Sequence, residues 1–132
     1  MIVIDASAAV EWLLSLPAAG AVEERLSDAD TAVHAPHLLA VEVAQVVRRH
    51  AATGWVSLHR AGEALVDLAD FDVVSHPHEP LLPLMWQLRH NLTAYDAAYV
   101  ALSLALDAPL VTCDRRLAAA PHGAAVDLIT AV

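Results

Sequence analysis

Short apolar runs alternate along the chain with longer stretches of helical periodicity. Ile2-Val3-Ile4 is a β-branched run ending in an acid, Asp5, and predicts a fully buried strand. Ser7 predicts the cap of a helix over about 8–15, which Pro17 ends; a second helix follows over about 18–27 and leads into a polar turn, Ser27-Asp28-Ala29-Asp30. Thr31 to His34 predicts a short strand, and Pro36 opens a long helix to about Ala51, broken at Gly54. Ser57 predicts the cap of a helix ending near Asp70, Phe71 to Val74 a strand, and Glu79 to His90 a helix with Pro80 and Pro83 near its start. Thr93-Ala94-Tyr95-Asp96 has the pattern of a capping box and opens an alanine-rich helix to about Leu106. Asp107-Ala108-Pro109 is a turn, Leu110-Val111-Thr112 a strand, and Val126 to Ile129 the last strand. Strands alternating with helices predict an α/β fold with a parallel sheet covered on both faces. No internal repeat, linker or low-complexity tract interrupts this order.

The 132 residues suit one domain, residues 1–132. With 58% hydrophobic and 17% charged residues there is ample material for a core, which excludes a disordered chain. No apolar stretch is long enough to cross a bilayer, because Glu11, Pro17, Asp107 and Pro109 interrupt them. Met1-Ile2-Val3-Ile4-Asp5 carries no basic leader or cleavage site, so a cytoplasmic protein is expected. A single cysteine, Cys113, excludes an internal disulfide and suits a reducing compartment. The formal net charge is −9 and all seven basic residues are arginines, an unusual balance for a protein that meets phosphate. Four acids gathered around an ion would leave a surface nearer −5.

Four carboxylates stand out against this background. Asp5 and Asp114 each follow the carboxyl end of a short apolar strand, the edge where open parallel sheets bind ligands. If their strands are neighbours the two acids meet, although each would also serve as an ordinary helix cap. Glu42 and Gln45 are the only polar residues between Leu38 and Val47, and Leu38, Leu39 and Val46 share the Glu42 side of that helix. A carboxylate there is partly buried and must be paired, protonated or bound to metal; Arg49, seven residues on, could pair with it or reach a phosphate. Asp96 is the only charge between Asn91 and Leu106, on a helix apolar on nearly all sides. One acid in a first turn is accounted for by the helix dipole. One divalent cation accounts for all four, because massed carboxylates repel each other and no lysine is present to neutralise them. Magnesium or manganese suits oxygen ligands that leave room for water and a phosphate, and such a site can hydrolyse a phosphodiester.

Other features carry less. Of the eight histidines only His76 and His78 are closely spaced, in a loop around Pro77 expected just after a strand, too few for a closed zinc site. Cys113 reads as a buried thiol at a strand end, with no histidine nearby in sequence to make it a nucleophile. Trp12, Trp55 and Trp86 could stack on bases but read as packing residues; Trp12 and Trp86 could also cover an apolar surface used by a partner.

The segments that carry the four acids resemble the PIN domain, and within it the VapC-type toxins of bacterial toxin–antitoxin pairs, over essentially the whole chain. Ile2-Val3-Ile4-Asp5-Ala6-Ser7-Ala8 is similar to the family's opening strand and first acid, and Leu38-Leu39-Ala40-Val41-Glu42-Val43 to the segment carrying the second. Leu92-Thr93-Ala94-Tyr95-Asp96-Ala97-Ala98-Tyr99-Val100-Ala101-Leu102 resembles its most recognisable segment, with the third. Leu110-Val111-Thr112-Cys113-Asp114-Arg115-Arg116-Leu117 resembles the segment carrying the fourth. The resemblance implies a three-layer α/β/α domain with a five-stranded parallel sheet and magnesium-dependent endonucleolytic cleavage of RNA. It further implies a cognate antitoxin that wraps the toxin, and a toxin homodimer. It implies that Ser7 and Thr112 support the acids or a bound water and that Arg115 meets the RNA backbone. The departure from the family is the acidic, lysine-free surface, for which Arg48, Arg49, Arg89, Arg115 and Arg116 could supply a local basic rim.

Besides a binding module with a dead site, which four intact acids argue against, two other functions compete. One is a PIN-type nuclease for RNA processing that has no antitoxin. The other is a receiver-like or phosphotransfer domain, which also gathers acids and magnesium at a sheet edge. It wants a lysine that this chain lacks, or, in phosphatases of the haloacid dehalogenase type, a second aspartate where Ser7 stands.

Overall fold

The computed structural model describes residues 1–28 and 30–131, so the turn expected through Ala29 lies partly outside the described residues. Five strands form one parallel sheet: β1 (Ile2–Ile4), β2 (Val33–Pro36), β3 (Val74–His76), β4 (Leu110–Thr112) and β5 (Val126–Leu128), in the order β3-β2-β1-β4-β5. Ile2 pairs with Val33, Ile4 with Val111 and Val111 with Asp127. β1 and β4, fully buried, form its centre.

Helices cover the sheet in two groups. From β1 towards β3 the chain passes through α1 (Ala6–Leu13), α2 (Ala19–Leu26), α3 (Leu38–Ala52) and α4 (Leu58–Asp70), which pack against one another in that neighbourhood. It then crosses back through a 3-10 turn (Glu79–Leu81), α5 (Leu82–Gln87) and α6 (Ala94–Leu106) to β4, and α7 (Arg115–Ala119) leads to β5. Right-handed crossovers that run outward in opposite directions place these groups on opposite faces, giving three layers. The reversal of strand order falls between β1 and β4. Here the carboxyl ends of two neighbouring strands leave a crevice that no crossover covers.

The core is aliphatic: Val3, Ile4, Ala8, Val43, Val100, Ala101, Leu110 and Val111 are fully excluded from solvent. α6 packs across β1, β2 and β4, which is why it carries almost no polar residue. It ends at Asp107, whose φ of 50° turns the chain in the left-handed region; the buried Ser103 hydroxyl donates to the Ala108 carbonyl and fixes the entry into β4.

Several boundaries differ from those expected. α1 begins two residues early, because Asp5 rather than Ser7 caps it. Pro36 closes β2 instead of opening α3: a proline cannot donate to a ladder, but it fits a strand end. The first amide of α3, at Leu38, donates instead to His78 Nε2 at 3.0 Å. Phe71 caps the end of α4, and the edge strand moves on to Val74–His76, so His76 lies in a strand and not in a loop. The helix expected over 79–90 is a 3-10 turn and one short α-helix, since Pro80 and Pro83 remove amide donors. Of the tryptophans, Trp12 packs 4.9 Å from Phe71, but Trp55 and Trp86 are 64% and 68% exposed and are not core residues.

Candidate active site

Asp5 follows β1 and caps α1, so its backbone is extended while its side chain turns back over the strand end. It is only 5% exposed. Oδ1 accepts from the Ser7 hydroxyl at 2.6 Å and the Ala8 amide at 3.0 Å, and Oδ2 accepts from the Thr112 hydroxyl. Burial raises the Asp5 pKa to about 6 against these three hydrogen bonds, with a smaller push from the charge of Asp114.

Thr112, the last residue of β4, ties the two strand ends together. Its hydroxyl lies 3.2 Å from that of Ser7 and accepts from the Asp114 amide at 3.0 Å, while Ser7 Oγ accepts from the Cys113 amide at 2.8 Å. Asp114 caps α7 through Oδ1, which accepts from Arg116 and Leu117. Among the described residues its Oδ2 has no protein donor. The two readings of these acids thus combine: each caps a helix, and the caps face one crevice.

Asp96 stands in the first turn of α6, where the Thr93 hydroxyl accepts from its amide at 3.2 Å. Its pKa is raised first by burial and then by the charge of Asp114, with Arg116 opposing. Glu42 is half-buried on α3 and lines an open groove of about 420 Å³ with Ala6, Leu38, Val41, Gln45, Val46, Arg49 and Tyr95. Arg49 shares this groove with Glu42 but forms no ion pair with it among the described residues.

One residue of this region was not singled out from the sequence. Tyr99, 2% exposed, has its pKa raised by burial first, then by Glu42, Asp5 and Asp96. Its hydroxyl lies towards Glu42, and the charges of Asp5 and Asp96 also bear on it. In sequence it reads as one more large residue on a buried helix; its spacing of three from Asp96 was the available signal. Arg116 is the arginine whose charge bears on Asp96, whereas Arg115, the first residue of α7, is exposed.

Among the described residues, no three carboxylate, imidazole or thiol groups already stand close enough to grip one ion. The physical reason lies in the charges. Asp5 and Asp114 are pinned by hydrogen bonds, while Asp96 has no donor to its carboxylate among the described residues and Glu42 is approached only by the Tyr99 phenol. The ion pairs of the described residues lie elsewhere: Arg25 with Glu24 and Asp127, His59 with Glu63, and Arg60 with Asp67. The donor set is therefore four hard oxygen groups, two of them with raised pKa values and none neutralised by a paired base. That chemistry fits a hard divalent cation.

The other candidates have ordinary partners. His34 Nδ1 and His76 Nε2 lie 2.8 Å apart, and burial followed by the charge of His76 lowers the His34 pKa. Burial, then the charges of Glu11 and Asp5, pushes the Cys113 thiol up to about 11, the wrong direction for a nucleophile. Arg48 bonds to Gln45, and Arg89 lies 4.4 Å above the Trp86 ring.

A family model described as the PIN domain matches residues 2–123, a span that holds all four acids. The chain belongs to the PIN-domain family. Within it the chain falls among the VapC ribonucleases. Ribonuclease VapC1 of Mycobacterium tuberculosis is 45% identical over 120 residues, covering 90% of each chain. Ribonuclease VapC12 of the same organism is 41% identical over 130 residues, covering 98% of this chain and 99% of the relative. The crystal structure of PAE2754 from Pyrobaculum aerophilum superposes with a TM-score of 0.70 at 25% identity, over 96% of this chain and 83% of that one. The five-stranded parallel sheet and α/β/α layering expected from the sequence are those of this PIN fold. No helix of the described residues is long and apolar enough to cross a membrane.

Proposed function

We propose that this single-domain chain is a magnesium-dependent endoribonuclease of the cytoplasm, the toxin of a toxin–antitoxin pair, working as a homodimer restrained by a cognate antitoxin. Asp5, Glu42, Asp96 and Asp114 would hold Mg²⁺, with Mn²⁺ able to replace it. The observation that carries this reading is the junction of β1 and β4, where Asp5 and Asp114 face one crevice and share a hydroxyl network. The printed names of the relatives, ribonucleases over nearly their full length, support the RNA substrate.

Each residue has a task. Ser7 and Thr112 orient Asp5 by donating to different oxygens, which fixes the plane of its carboxylate. Asp114, anchored on Oδ1 by two amides, would have Oδ2 to offer the ion. Glu42 and Asp96 would complete its ligand set. Arg115 and Arg116, at the start of α7, and Arg49 in the groove supply positive charge for an RNA phosphate on an otherwise acidic surface. When bound, the ion supplies Lewis acidity towards the phosphodiester and a lowered pKa for its water.

The test is cleavage of a mixed RNA pool by purified protein. Cleavage is expected with Mg²⁺, none with a chelator, and a loss of at least about 100-fold in Asp96→Asn. Equal cleavage by wild type and Asp96→Asn would place the activity at another site or in a contaminant.

A further inference from the structure

Tyr99 is packed as a core residue yet carries a group the core does not use. Its side chain is 2% exposed, and its hydroxyl is the one buried side-chain polar atom of the described residues that finds no hydrogen-bond partner. Leaving a buried donor unpaired costs free energy, and phenylalanine would fill the same space without that cost. A partner that comes into place in another state would satisfy such an orphan. Tyr99 lies one helical turn after Asp96 on α6, and the charges around its ring end belong to Glu42, Asp5 and Asp96. The buried phenol therefore stands beside Glu42, without a hydrogen bond of full geometry.

We infer that Tyr99 is a positioning residue for Glu42: its hydroxyl donates to the Glu42 carboxylate when the acids gather on a divalent cation. This inference rests on the metal-site reading proposed above. Glu42 is the member that needs such help. Asp5 accepts three hydrogen bonds and Asp114 accepts two, so both carboxylates are oriented before any ion arrives. Glu42 comes from α3, the opposite layer from α6, has one more rotatable bond than an aspartate, and has the Tyr99 phenol as its one approaching donor among the described residues, not yet in full hydrogen-bond geometry. Hydrogen bonds to the outer oxygens of metal-binding carboxylates fix the ligand and raise its affinity for the ion. Tyr99 supplies that bond across the sheet edge, between α6 and α3.

Titration of the full-length protein with Mn²⁺, read by the electron paramagnetic resonance of the free ion, separates this role from packing. Tyr99→Phe is expected to bind Mn²⁺ about tenfold or more weakly than wild type, while its metal-free melting temperature is equal to or above that of wild type. Equal Mn²⁺ affinity in the two proteins overturns the role of Tyr99 and leaves the metal site standing. A wild type that takes up no Mn²⁺ overturns both. A second readout does not depend on the folding of the phenylalanine variant. In Tyr95→Phe, Tyr99 is the only tyrosine left, and saturating Mg²⁺ should shift its absorption band to the red as the phenol begins to donate to a carboxylate. Mg²⁺ bound without a change in that band contradicts the inference.

Discussion

Asp5→Asn is expected to lose RNA cleavage by at least about 100-fold while making the metal-free protein more stable at neutral pH. The two effects share one cause. Asp5 is buried, and its pKa stands at about 6 against 3.8 for a free aspartate, chiefly through desolvation. Between about pH 4 and pH 6 the folded chain keeps a proton on Asp5 that the unfolded chain has released. Rising pH therefore favours unfolding through that window. The stability that the protonated group confers is complete below about pH 4 and gone above about pH 6. The shift of roughly two units corresponds to about 3 kcal/mol.

Asparagine removes the charge and can keep the network. Its Oδ1 accepts from Ser7 and Ala8 as before. Its amide donates to Thr112 Oγ1, whose hydroxyl then turns to Ser7 Oγ, 3.2 Å away. A gain of about 1–3 kcal/mol, on the order of 5 °C or more in melting temperature, is expected near pH 7.5. It should fade on acidification towards pH 4. Calorimetry of both proteins in chelator across this range checks the prediction, and a variant less stable than wild type at pH 7.5 would contradict it.

Thr112→Val should do the reverse. Valine matches threonine in shape at a site with no solvent exposure, so packing is preserved. The Asp5 Oδ2 atom loses its donor and the Asp114 amide loses its acceptor. Two orphaned groups at about 1–3 kcal/mol each, offset in part by a more apolar side chain, give an expected loss of about 2–4 kcal/mol in urea denaturation. The Thr112 hydrogen bond holds the Asp5 pKa down, so the valine variant should also carry its pH–rate profile to higher pH. Thr112→Ser keeps the hydroxyl and should retain most of both properties. A valine variant as stable as wild type would show that the hydroxyl does not join the strand ends.

These consequences follow from a junction that was readable in advance. A short apolar run followed by an acid, twice, predicted β1, β4 and the carboxylates beyond them, because buried strands and their carboxyl ends are set by local composition. Asp96 was equally legible as the one charge on an apolar helix. What escaped depended on partners distant in sequence. The cap of α1 could have been Asp5 or Ser7, and Thr112, more than a hundred residues away, takes part in the arrangement that makes it Asp5. Pro36 serves a helix start or a strand end equally well until β2 has neighbours. The five residues of α7 are too few to show a period. Tyr99 escaped because a phenol inside a core reads as bulk until Glu42, brought from α3, is seen beside it. The exposure of Trp55 and Trp86 escaped because aromatic residues are usually buried, and their surroundings are set by turns on either side.

The most direct measurement is the anomalous difference map of a crystal soaked in Mn²⁺. The expected result is a peak bounded by carboxylate oxygens of Asp5, Glu42, Asp96 and Asp114, with oxygen distances near 2.2 Å, roughly those of small divalent ions. A fully soaked crystal with no peak in this crevice, or with manganese held only by other residues, would contradict it.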